Sequence, residues 1–139
     1  MVHALEIVHN LIKPGGLLVD IHPLGDPPAI QVLLQEQTIR VGWLQESDDF
    51  IEYPQATDAL SQAISRGWFA LDQQGEFIFI THATSWEDLE NYLKAKWHDA
   101  ILPEGAALKV QRLRDDFGAG IEIALEERIG IKTLVALQG

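Results

Sequence analysis

From Ile121 to Leu137, apolar side chains fall on alternate residues: Ile121, Ile123, Leu125, Ile129, Ile131, Val135 and Leu137. A period of two belongs to a β-strand, whose successive side chains point to opposite faces. Glu127 and Thr133 interrupt the series. The pattern predicts a long terminal hairpin or a bent strand. Either one obliges the rest of the chain to supply a sheet, because a lone strand leaves its backbone groups unpaired.

The remaining elements follow from local signals. Val2, Leu5, Val8 and Ile12 fall at helical spacing, and Pro14-Gly15-Gly16 stops that helix. Leu17 to Ile21 is almost wholly apolar, as in a strand buried on both faces. Ala29–Leu34 and Thr38–Trp43 read as strands about the polar turn Gln35-Glu36-Gln37. Asp48, Asp49 and Pro54 fit the start of a helix whose buried stripe is Ala56, Ala59, Leu60, Ala63 and Ile64, with Gly67 ending it. Trp68–Leu71 and Glu76–His82 flank Asp72-Gln73-Gln74-Gly75, a hairpin signal. Thr84-x-x-Glu87 reads as a capping box for a helix carrying Trp86, Leu89, Leu93 and Trp97. A further helix carries Ala106, Val110, Leu113 and Phe117 and ends at Gly118 and Gly120. The order predicts one α+β domain over residues 1–139, with a mixed, largely antiparallel sheet and helices packed on it.

Composition narrows the function classes. The 10 Lys and Arg against 21 Asp and Glu leave a formal charge of −11. Such a field repels phosphate backbones and anionic lipid, so neither nucleic acid nor membrane is an expected partner. No apolar run reaches the roughly 20 residues that span a bilayer. The opening Met-Val-His-Ala-Leu-Glu lacks a basic stretch and does not read as a secretory signal. There is no cysteine, which removes thiolate catalysis and Cys-based metal sites and suits a reducing, cytoplasmic location.

The segment Ala4 to Asp20, with its turn Ile12-Lys13-Pro14-Gly15-Gly16, resembles a piece of the class I methyltransferases that use S-adenosylmethionine. In that family a helix ends in a Leu-Lys-Pro-Gly-Gly-like turn that launches the fifth strand of a Rossmann-like sheet. The far end is similar too: Ile121–Glu126 followed by Thr133–Leu137 resembles the family's closing antiparallel strand pair. The resemblance implies a truncated Rossmann-like fold with inserted hairpins between about Pro23 and Leu102. It also implies a missing half. The family's Gly-rich loop and ribose-binding acid have no matching position, and Gly118-Ala119-Gly120 lies at the wrong end. No cofactor residue carries over, and autonomous methyl transfer is not expected. The strand Leu17, Leu18, Val19, Asp20, Ile21 loses a neighbour in such a half-fold and becomes a candidate dimer edge.

No Gly-x-Ser-x-Gly, His-Glu-x-x-His, phosphate loop or calcium loop is present. Of five histidines, His3, His9 and His98 read as surface residues. His22 and His82 end strands, where ligands of α/β folds collect. They are candidates for one pocket with Trp43, Trp68 or Trp86, and Asp20 or Glu52 could orient an imidazole. Trp86 and Trp97 also suit a core, and Ser47-Asp48-Asp49 and Glu126-Glu127 read as solvated faces or helix starts. No metal site is expected. Three functions remain open: a non-catalytic methyltransferase-like domain acting as a homodimer or with a protein partner; a small-molecule-binding domain or enzyme with a pocket near His22 and His82; and a subunit of a split methyltransferase.

Overall fold

The computed structural model describes residues 2–46, 49–97 and 99–138, and the backbone alone for 49–53. The protein is α+β. Among the described residues there are four helices: α1 (Val2–Leu11), α2 (Asp49–Ser65), α3 (Trp86–Lys96) and α4 (Ala106–Phe117). The strands are β1 (Leu17–Pro23), β2 (Ala29–Leu33), β3 (Thr38–Trp43), β4 (Gln45–Glu46), β5 (Phe69–Ala83), β6 (Ala100–Ile101) and β7 (Glu122–Ala136). Five of them form one sheet in the order β1-β7-β2-β3, with β5 also paired to β7, while β4 and β6 form a small separate ladder. The chain divides into two compact units. One comprises Met1–Gly25, Asp49–Phe77 and Arg128–Gly139, the other Asp26–Asp48 and Ile78–Glu127.

In the first unit β1 pairs antiparallel with the end of β7, from Leu17 opposite Val135 to Pro23 opposite Ile129. Opposed residues share a face. Leu18, Asp20 and His22 therefore lie with Leu134, Lys132 and Gly130, and Leu17, Val19 and Ile21 with Val135, Thr133 and Ile131. Helices cover the first of these faces. Leu60, Ala63, Phe69, Leu134 and Ala136 are buried together, with Leu5, Val8, Ile12 and Leu18 packed against them. The α1–β1 turn is tied to the sheet, since Gly15 N–H donates to the Ala136 carbonyl and Ala136 N–H to the Gly16 carbonyl, both at 2.8 Å. Gly15 takes φ +85°, a value that disfavours any residue with a Cβ.

In the second unit β2 pairs with β3 and with the start of β7, both antiparallel. Its core joins Ile30, Val32 and Val41 of the sheet to Leu89 and Leu93 of α3, Val110 of α4 and Ile121, Ile123 and Leu125. Trp86 and Trp97 pack partly buried against it.

Several expectations need correction. β1 is not buried on both faces, because Leu17, Val19 and Ile21 are exposed by 59%, 52% and 56%. Only one helical layer of its unit lies on it. The hairpin about Asp72–Gly75 does not form, and β5 runs straight through. β7 holds it in extension: Gln73 N–H donates to Thr133 Oγ1 at 3.2 Å, and Arg128 donates to Glu76 at 2.7 Å. Of the two expectations for the terminal apolar series, the single strand holds and the hairpin does not: Glu122–Ala136 is one continuous strand, not a closing pair. Ile123, Ala124 and Leu125 are buried near its start, and Leu134 and Ala136 near its end. The cap of α3 is shifted by one residue. Ser85 accepts from the Asp88 N–H at 3.0 Å, and the Asp88 carboxylate accepts from the Thr84 N–H at 3.1 Å. Phe117 is exposed rather than buried. Pro54 lies inside α2. Ser47, Asp48 and His98 fall outside the described residues.

Candidate functional site

Asp20 and His22 sit two residues apart on β1, so their side chains leave the same face of the strand. There the His22 Nδ1 lies 2.6 Å from Asp20 Oδ2. A contact that short to a carboxylate assigns a proton to Nδ1 and holds the ring in one orientation. Both side chains are largely buried, at 14% and 21% exposure. The other ring nitrogen, Nε2, faces Thr57 Oγ1 of α2 at 3.5 Å.

These three residues line a cavity of about 390 Å³ in the first unit, together with Gln74, Glu76 and Lys132. Leu24 supplies apolar wall. The Leu24 N–H is fastened to the Arg128 carbonyl at 3.0 Å. Opposite His22, Gly130 leaves room for Leu24 to close in: a Cβ there would stand 2.7 Å from Leu24 Cδ2. The volume falls in the range of small-molecule sites.

The arrangement superficially matches an Asp–His–hydroxyl relay, but the chemistry of acyl transfer does not follow. Thr57 lies within α2, where backbone N–H groups are committed to the helix and cannot form an oxyanion hole beside its hydroxyl. What the site offers is an oriented imidazole with an accepting nitrogen, beside a lysine.

No family model, curated protein or solved structure matches this chain. The methyltransferase resemblance therefore rests on the residues quoted for it.

The structure brings Asp20 to His22. His82 belongs to the second unit and meets Glu122 there at 3.1 Å, with both side chains about half exposed. Trp68, of the first unit, is not in the cavity lining, and Trp43 and Trp86 belong to the second unit. Trp43 lies under the Arg40 guanidinium at 4.9 Å, and Trp68 under that of Arg66 at 5.2 Å. The Glu52 side chain lies outside the described residues. His3 is exposed, 3.6 Å from Glu6. His9 is not a free surface residue: its Nε2 donates to the Leu137 carbonyl at 2.8 Å, and its ring meets Phe69 edge-on at 5.4 Å.

Thr57, Glu76 and Lys132 were not singled out in the sequence. Lys132 reaches the site only because β1 and β7 pair in a register that sets it opposite Asp20, and no local motif encodes that register. Among the described residues no cluster of three or more His, Asp or Glu is placed to hold a metal ion. No helix among them is long and apolar enough to cross a membrane.

Proposed function

We propose that the chain is a methyltransferase-like half domain that works by pairing through the open edge of β1, with a second copy of itself as partner. The supporting observation is the exposure of Leu17, Val19 and Ile21 on a strand whose only ladder, among the described residues, is to β7. Three apolar side chains at alternate positions beside an unpaired backbone edge make a template for another strand. Self-pairing about a two-fold closes the assembly and covers both edges at once. The sequence of α1, the Lys13-Pro14-Gly15-Gly16 turn and β1 supports the methyltransferase part, and the lack of a Gly-rich loop argues against methyl transfer by the chain alone. A cysteine-free chain suits the reducing cytoplasm as its place of work.

Light scattering tests the pairing. The wild type is expected at twice the chain mass of 15.5 kDa. Val19→Lys is expected to be monomeric with an unchanged far-ultraviolet spectrum, whereas Leu108→Lys, at an exposed position of α4, remains dimeric. A wild-type chain that stays at 15.5 kDa when concentrated overturns self-pairing. In that case, S-adenosylmethionine binding that appears only with a separately encoded N-terminal half would point to a split enzyme.

A further inference from the structure

The His22 cavity has a polarity that edge pairing does not use. The Nδ1 proton of His22 is donated to Asp20, so Nε2 is the ring nitrogen left to accept a hydrogen bond. Its neighbour, Thr57 Oγ1, stands at 3.5 Å, the outer limit of a hydrogen bond, and leaves that nitrogen weakly satisfied. Lys132 is the Cα partner of Asp20 and lines the same cavity. Glu76, also in the lining, is taken up by Arg128 at 2.7 Å, whereas Lys132 makes no ion pair among the described residues. Two carboxylates (Asp20, Glu76) and two cations (Lys132, Arg128) balance locally, so the chain's charge of −11 is not concentrated here. Among the titratable groups of the lining, the Lys132 ammonium and the Nε2 of His22 are the ones least committed.

We propose that this cavity binds a small hydroxycarboxylic acid, with its carboxylate on Lys132 and its hydroxyl donating to His22 Nε2 in the place that Thr57 now holds loosely. A carboxylate alone would leave the imidazole nitrogen unsatisfied. An alcohol alone would leave the lysine unpaired. A ligand carrying both satisfies both, with Leu24 against its carbon skeleton. Asp20 is the positioning residue, because it decides which ring nitrogen carries the proton.

The test is a nitrogen-15 NMR titration of the histidine rings in the full chain with lactate and with propionate, which lacks only the hydroxyl. Lactate is expected to give a saturable shift of His22 Nε2 in the millimolar range. Propionate is expected to bind about fivefold more weakly, the factor that one ordinary hydrogen bond contributes. His22→Gln should remove the preference for lactate, and Lys132→Met should weaken both acids alike. Thr57→Val should leave lactate binding intact or tighten it, since it removes only a competitor, and this variant keeps the test open should His22→Gln fail to fold. Equal affinity for the two acids, or no movement of the His22 signals with lactate, would overturn the proposal.

Discussion

Glu127 interrupts the apolar alternation of β7 and is half-buried, and its desolvation pushes the carboxyl pKa above the ordinary value of 4.5. A raised folded-state pKa means that the fold favours the neutral acid. The stabilising contribution is present in full below 4.5 and is lost as pH rises through the folded value. At neutral pH the ionised group opposes folding. Glu127→Gln is therefore expected to raise Tm at pH 7 by about 1–3 °C and to change it little near pH 3.5. Calorimetry at the two pH values checks this, and an equal shift at both would contradict the burial argument.

At the scale of elements, α3 shows how a local signal is resolved by geometry. Two overlapping caps are written in Thr84-Ser85-Trp86-Glu87-Asp88. The chain uses Ser85 with Asp88, which leaves Leu89 and Leu93 facing the core. Ser85→Ala is expected to cost about 1 kcal/mol, seen in thermal melts as a fall in Tm of about 3–5 °C. Glu87→Gln should stay within about 0.5 kcal/mol of wild type, as an exposed substitution away from the cap. The reverse order of effects would restore Thr84-x-x-Glu87 as the cap. β5 makes the complementary point. Asp72-Gln73-Gln74-Gly75 has the composition of a turn, yet Gly75 is not among the glycines with positive φ, and Gln73 and Glu76 bond to β7 instead. A long partner strand overrides a weak turn signal, because each extended residue gains ladder bonds that a turn would forfeit.

For the whole molecule the dominant long-range term is the charge of −11 on 139 residues. Like charges repel more in the compact state than in the expanded one. Salt shortens the reach of that repulsion to roughly 10 Å at 0.1 M. Raising sodium chloride from about 20 to about 200 mM should therefore raise Tm by a few degrees. The comparison with potassium sulfate at equal ionic strength separates screening from preferential exclusion, which acts through burial. A melting temperature that falls with salt would show that attractive pairs such as Arg128–Glu76 outweigh the net repulsion.

Local spacing was enough to read the α+β class, the stop at Pro14-Gly15-Gly16, the β2–β3 pair and the Leu89/Leu93 stripe of α3. Each depends on residues a few positions apart, whose mutual geometry the backbone period sets. Asp20 beside His22 was legible for the same reason, since residues two apart on a strand share a face. Lys132 opposite Asp20 and Thr57 facing His22 were not. They depend on which strands pair and in what register, and on where a helix crosses the sheet. Those outcomes are settled by burying apolar faces across the folded chain, where a slip of one residue would turn every side chain of a strand to its other face.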